Sequence, residues 1–434
     1  MRQYTLTMAL LGRRGLPTFL FALVSLFSAV FPWVGFLGVV AILLAIRDLN
    51  PASGLPPSRL TFAAIALGCL ATIGGFGWAI VLQEPSKPIA HGGCPRVYVF
   101  DGSQYRLDAD LIAAALYPWA EQRDVVRLDH IRSVDGAYRL RIQNDREETD
   151  HLDSVSLLVV DHEENTQVLP TTKGELMAVR DAQRPIRVID DKNGERQRWT
   201  LDFARPATSE RALLILRGHS TDFAEDALFR YMATMGQGIG PLMAHAVAKA
   251  DCTCSREVLA EEAELLGLPL VVTVSTGTGW VPVEAILPIG PAVARSIVVP
   301  IDLPANTDQV SIRLEATPRF WQIDKFELAP AQKSSLSAQL LKPRSATLVA
   351  TEKSESVIDQ ITQSDHRRVK LQSTEHVDVL FDAPPTTSGA RSVFVALRGY
   401  YQVPIGGKRL VNVAAVLAHR WGITSLPRFS AGLP

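Results

Sequence analysis

Leu270-Val271-Val272-Thr273-Val274-Ser275, followed by Trp280 to Ile286, Ser296 to Ile301, Gln309 to Glu315 and Phe320 to Leu328, decides how this chain is read. These are short runs of β-branched and aromatic residues with turn residues between them. Spacing of this kind predicts an antiparallel sandwich, because strands joined by tight turns must bury one face against a second sheet. Trp199 to Gly218 reads as two more strands joined by Arg205 to Arg211, completing a jelly-roll-like module. Between them, Thr221 to Leu266 carries apolar residues at helical spacing: Ala227, Leu228, Tyr231, Met232 and Met235, then Leu242, Met243, Ala246 and Val247 beyond the Gly236 to Pro241 breaker. Such stripes are expected to pack into a core. The predicted fold is therefore mainly β with an α-helical insertion.

Upstream, Arg96 to Phe100 alternates, Asp101-Gly102 is a hairpin signal, and Gln104 to Leu107 is the return strand. Val134 to Ala137 turns into Tyr138 to Ile142, and Leu152 to Val160 is a buried strand. Downstream, Ala346 to Val403 is a second sheet-rich piece, with a short helix expected over Leu410 to His419. Leu201 to His219 echoes Leu380 to Tyr400: a strand, a Pro-containing hinge, then a strand ending Arg217-Gly218-His219 or Arg398-Gly399-Tyr400. Either two related β modules or shared strand grammar accounts for it.

The most apolar part of the chain, Leu16 to Leu82, is expected to be a transmembrane anchor. Its first run is about half as long again as the ~20 residues one membrane-crossing helix needs. It reads as one long span, or as a hairpin hinged at Pro32 to Gly35. Placing Arg13, Arg14, Arg47 and Arg59 on the cytoplasmic side favours the hairpin. The expected domains are then 1–90 (spans 17–31, 34–46 and 60–82), a hairpin-rich domain 91–175, a sandwich 176–330 with the helical insertion 221–266, and a second β module 331–434. This places the protein in a bacterial inner membrane, with its soluble body on the periplasmic or extracellular side.

Two resemblances accompany this reading. Leu16 to Leu82 resembles a small bacterial membrane-anchor domain of unknown function. Cys94 to Gly102, Arg127-Leu128-Asp129-His130, Val134 to Leu140, Leu157 to His162, Gly267 to Leu270, Val298 to Leu303, Phe320 to Asp324 and Arg398 to Tyr401 resemble an uncharacterised bacterial family of extracytoplasmic β-rich proteins, over residues 94–402. That likeness implies a fold and a location, and no activity.

With 44 basic and 45 acidic residues and a net charge of −1, no basic footprint for nucleic acid is visible. No phosphate loop, dinucleotide fingerprint or nucleophile elbow appears, and no cofactor is expected. Cys94, Cys252 and Cys254 are the thiols outside the apolar stretch. They read as unpaired, as one disulfide of Cys94 with Cys252 or Cys254, or as part of a metal site short of four ligands. Asp129, His130 and His162, with His151 nearby, are the candidates for acid/base chemistry. Asp101, Asp108 and Asp110 read as turn aspartates rather than a calcium loop. Trp321 with Asp324 is the candidate ligand edge, weighed against core packing. The expected function is a membrane-anchored binding or scaffolding protein whose partners are the lipid bilayer and a glycan, peptide or other membrane protein. The alternatives are an Asp/His hydrolase or an accessory subunit of a membrane complex.

Overall fold

The computed structural model describes residues 93–434 apart from 194–195, 207–209, 237–266, 305–306, 332–335, 352, 386–388, 404–411, 422 and 434, together with isolated positions between 40 and 69. The chain divides into two compact units, Met1–Lys87 with Gly407–Ala414 and Pro88–Gly406 with Ala415–Pro434. The second holds everything that follows.

The expectation of N-terminal transmembrane helices is corrected. A crossing needs a continuous apolar helix of ~20 residues, and among the described residues no helix is long and apolar enough. The inner-membrane placement that followed from the anchor loses its support with it. The expected spans 17–31, 34–46 and 60–82 lie, but for isolated positions, outside the described residues.

Two antiparallel sandwiches make up the second unit. In the first, a six-stranded sheet runs Ser354–Ser356, Ser345–Val349, His376–Asp382, Ala137–Gln143, Arg96–Phe100, Tyr105–Asp110. The facing sheet runs Ala338–Leu341, Thr149–His162, Ala390–Gln402, Gln122–Leu128, with Val369–Leu371 also paired to Thr149–His162. Val97, Leu140, Ile142, Leu157, Phe381 and Val395 fill the space between them. Residues 91–175 and 331–434, expected as separate modules, thus interleave within one sandwich. His376–Asp382 lies beside Ala137–Gln143 in register along its whole length.

The second sandwich is inserted into the first. Its five-stranded sheet runs Trp280–Ile286, Leu270–Ser275, Gln309–Ala316, Arg196–Ala204, Arg187–Asn193, and its three-stranded sheet runs Arg295–Asp302, Arg211–Ser220, Trp321–Pro330. The helix Asp222–Met235 is capped by Thr221, whose hydroxyl accepts from the Ala224 N–H at 3.2 Å. It buries Ala224, Ala227, Phe229, Tyr231, Met232 and Met235, and Gly236 ends it at φ 75°. The rest of the expected insertion lies outside the described residues. C-terminal helices follow at Val413–Arg420 and Leu426–Ala431, and Phe429 meets Tyr231 at a ring separation of 5.4 Å.

A short hairpin, Gln167–Pro170 with Leu176–Val179, lies between the sandwiches. Val168 packs with Val125, Val160, Phe394 and Ala396 of the first. Leu169 and Val179 pack with Leu213, Ile215, Val298 and Ala329 of the second. Alternation does the rest: Leu213 and Ile215 face the hairpin while Ala212, Leu214 and Leu216 face their own core, and Phe394 and Ala396 face it while Val393, Val395 and Leu397 face theirs. A strand covered on both faces reads as an unbroken apolar run, which is why Ala212 to Leu216 and Val393 to Leu397 do.

The sequence echo has a structural counterpart. Each echoed pair crosses from one sheet of its sandwich to the other, and each second strand is central in its sheet. Pairing shifts register at Arg217/Gly218, opposite the skipped Asp324, and at Arg398/Gly399, opposite the skipped Asp153. A Cβ on Gly218 would sit closer than 3.0 Å to the Gln322 carbonyl oxygen, and one on Gly399 equally close to that of His151. Neither neighbour is a side chain that can rotate away. Gly218→Ala and Gly399→Ala should each cost about 1–3 kcal/mol, read from the denaturation midpoint, whereas Gly279→Ala, with open space around it, should be near neutral.

Candidate functional site

The register shift at Arg398 opens onto a cleft of about 280 Å³ between the sandwiches. The Gln122–Leu128 strand places Arg123 and Asp124 on one wall, with Glu121 just before it and Arg398 on the neighbouring strand. Arg295 opens the Arg295–Asp302 strand on the other wall, Leu287 to Ile289 form an apolar side, and Thr172 and Lys173 come from the tip of the hairpin between.

Fixed contacts hold these walls. Arg295 donates through Nη1 to both oxygens of Asp124, at 3.0 and 2.8 Å, and Asp124 also accepts from the Ile112 N–H at 3.0 Å. Below it, Asp110 accepts from the Ala292 and Val293 N–H groups at 2.7 and 3.0 Å. Gly290 is needed there, since a Cβ would collide with the Asp110 side chain. Burial pushes the Asp110 carboxyl up, while the two N–H donors and Arg96 oppose that shift.

Behind Arg398 lies a second group. Glu121 accepts from Arg368 Nη2 at 2.8 Å, and Arg398 Nε stands 3.5 Å from Glu121 and 3.7 Å from Asp153. Asp153 is fully buried and accepts from the Ser364 hydroxyl and, at 2.8 Å, from the His366 N–H. Ligand atoms of Glu121, Asp153 and His366 lie within 4.8 Å of one another. The donor types would suit a small metal site, but two guanidiniums already balance the two carboxylates. A dication placed there would face both at close range in a poorly solvated position.

The residues singled out from sequence do not gather. His130 Nδ1 is 2.5 Å from Asp108 Oδ1, and its N–H donates to Asp108 Oδ2 at 3.0 Å. Asp129 turns outward to Arg127 at 3.1 Å. His162 lies 2.9 Å from the Ser392 hydroxyl, and His151 stacks on Tyr400 at 4.4 Å. His151 and His162 are eleven residues apart on one extended strand, a separation of roughly 35 Å at the usual rise. Asp101 is a turn aspartate accepting from Ser103 and Gln104, and those bonds lower its carboxyl to about 2. Trp321 is 6% exposed and its Nε1–H donates to the Leu268 carbonyl at 3.0 Å. It is therefore part of the core, while Asp324 pairs with Arg217 on the outer face of the sheet. Cys94 is a buried free thiol, and Cys252 and Cys254 lie outside the described residues.

Sequence reading passed over Glu121, Arg123, Asp124, Arg295 and Arg398. The available signal was Arg398 itself, a cation directly following the two-sided apolar run Val393 to Leu397.

A further polar cluster lies largely buried around Glu148 and Asp150. The Gly93 N–H donates to Glu148 at 2.5 Å, and Arg146 pairs with Glu225 at 2.6 Å and Asp222 at 3.4 Å. Asp150 is fully buried and neither of its oxygens finds a donor. The Glu148 carboxyl lies against it, and that contact is favourable only when the pair keeps a proton. Burial raises Glu148 to about 7 and holds Asp150 well above its usual range.

No family model and no curated protein matches the chain. Two solved structures show a remote likeness. One, describing the triple jelly roll fold and turret assembly in an archaeal virus, is 8% identical over 74% of this chain and 98% of that chain, with a TM-score of 0.16. The other, an atomic structure of Sulfolobus turreted icosahedral virus, is 8% identical over 73% and 99%, with a TM-score of 0.15. At these scores neither carries an argument about fold or function.

Two outcomes follow from this geometry. Asp124→Ala strips Arg295 of its carboxylate and should cost about 3–5 kcal/mol in denaturant unfolding. For the buried cluster, a carboxyl whose folded pKa is raised stabilises the protein below its unfolded value of 4.5, and that stability is lost as pH rises through about 7. The melting temperature should fall by about 5 °C between pH 5 and 8, and Glu148→Gln should flatten the slope. An unchanged slope in the variant would assign the effect elsewhere.

Proposed function

We propose that this protein is a binding protein whose ligand enters the cleft between the two sandwiches. One observation carries the reading: side chains from both sandwiches and from the hairpin between them converge on a single cavity, and ion pairs such as Asp124–Arg295 fix its walls. Binding sites are commonly concave, partly apolar and supplied with a few placed polar groups. Here Leu287 to Ile289 give the apolar wall and the arginines the polar one. The cavity of about 280 Å³ is just below the usual ~300–1,000 Å³, which suits a small molecule, or one unit of a glycan or peptide.

The hydrolase alternative requires a histidine placed against a reacting group. His130, His151 and His162 each have separate partners, and none lines the cleft.

Ligand-observed NMR on the full chain, with a panel of monosaccharides, amino acids and dipeptides, tests the reading. At least one member should bind, and Thr172→Trp, which fills the cleft from the hairpin tip, should abolish its signal while leaving the melting temperature within a few degrees. Binding that survives Thr172→Trp, or no binding at all, would overturn the proposal.

A further inference from the structure

The cleft is unevenly charged. Arg123, Lys173, Arg295 and Arg398 line it against only Glu121 and Asp124, in a chain whose net charge is −1. Asp124 is committed to Arg295, and Glu121 to Arg368 through one oxygen while the other stands 3.5 Å from Arg398 Nε. Among the described residues the side chains of Arg123 and Lys173 have no ion-pair or hydrogen-bond partner.

The sheet itself adds to the imbalance. Arg123 and Arg398 are direct register partners on adjacent strands. Such partners have Cβ atoms about 4.5–5.5 Å apart on the same face, and like charges placed so repel. The nearest carboxylates to Arg398 stand at 3.5 and 3.7 Å, and Nε of Arg398 and of Arg295 are buried without an acceptor. A buried donor left unsatisfied is destabilising.

Lys173 is held at the same place by backbone geometry. The Gly174 N–H donates to the Thr171 carbonyl at 2.9 Å, and Gly174 has φ 79°. A Cβ there would meet Val125 at 2.8 Å and reach Arg123 Nη1 at 3.9 Å, so the turn lies directly over the Gln122–Leu128 strand. Two uncommitted cations therefore lie beside Arg295 and Arg398 in the lining of one small cavity. At the turn, Glu284 accepts from the Thr172 hydroxyl at 3.0 Å.

We infer that the cleft recognises its ligand through an anionic group, a carboxylate or a phosphate, gripped by Arg123 and Lys173 at the mouth and Arg398 within. This deepens the binding reading and rests on it. A fork of N–H donors matches either oxyanion, and an ammonium adds charge without demanding geometry.

Calorimetric titration of the full chain with inorganic phosphate and, separately, with succinate, in chloride at matched ionic strength, reads the inference. At least one anion should bind saturably, and the Arg123→Gln/Lys173→Gln double variant should weaken it at least tenfold while melting in chloride no lower than the parent. Response to phosphate alone identifies a phosphoryl ligand, to succinate alone a carboxylate, and to both a general anion subsite; each supports the inference. Neither anion binding beyond the chloride control, or undiminished binding by the double variant, overturns it. If neutral sugars still bind in a Thr172→Trp-sensitive way, only the anionic specificity falls. If nothing binds, the cleft reading falls with it.

Discussion

Everything in the second unit depends on one apolar contact made twice: Val168 pressed against the first sandwich and Leu169 against the second, from consecutive positions of one short strand. Successive residues of a strand face opposite ways, so a single hairpin can join two sheets only if both offer it an apolar outer face. Phe394 and Ala396 provide one, and Leu213 and Ile215 the other. Each fully buried aliphatic side chain of this kind is worth about 1.5–3 kcal/mol. The same hairpin carries Thr172 and Lys173 at its tip. The element that spaces the two sandwiches therefore also furnishes part of the cavity between them.

Local structure was readable wherever local pattern was enough. Leu270–Ser275 and Trp280–Ile286 form strands along the segments their alternation and turn residues mark. The stripe of Ala227, Tyr231, Met232 and Met235 is the buried face of a helix. What pattern could not supply was pairing between distant segments. Ala137–Gln143 lies between Arg96–Phe100 and His376–Asp382, and nothing in the residues of the last strand names a partner more than two hundred positions earlier. Splitting the first sandwich into two modules followed from that gap. The short Gln167–Pro170 strand escaped notice because only four residues long it shows no periodicity, although its hairpin joins the sandwiches.

Functional residues divide in the same way. Histidine beside aspartate attracts attention in a sequence, yet His130 and Asp108 satisfy each other at a strand end. The arginines of the cleft carry no motif. Arg295 comes before an apolar strand, Arg398 follows one, and Arg123 sits in a charged string, Glu121-Gln122-Arg123-Asp124. Their meaning comes from the sheet, which sets Arg123 and Arg398 side by side across two strands.

The paired register shifts link fold to site. Arg217 and Arg398 each end an apolar run, each precede a glycine pressed against a neighbouring carbonyl, and each face an aspartate skipped by the ladder. In the second sandwich the result is ordinary: Arg217 and Asp324 meet on the outer face of the sheet and neutralise each other. In the first, Asp153 is fully buried and turned to Ser364 and His366, and Arg398 Nε stands 3.7 Å from it and 3.5 Å from Glu121. The same local device therefore yields a direct ion pair in one sandwich and a longer one in the other, where Glu121 also answers Arg368. Solvent screening makes the Arg217–Asp324 pair energetically minor, whereas Arg398 Nε is itself buried and finds no hydrogen-bond acceptor. The bulge is common to both sandwiches, and it is the surroundings that decide how closely its arginine is paired.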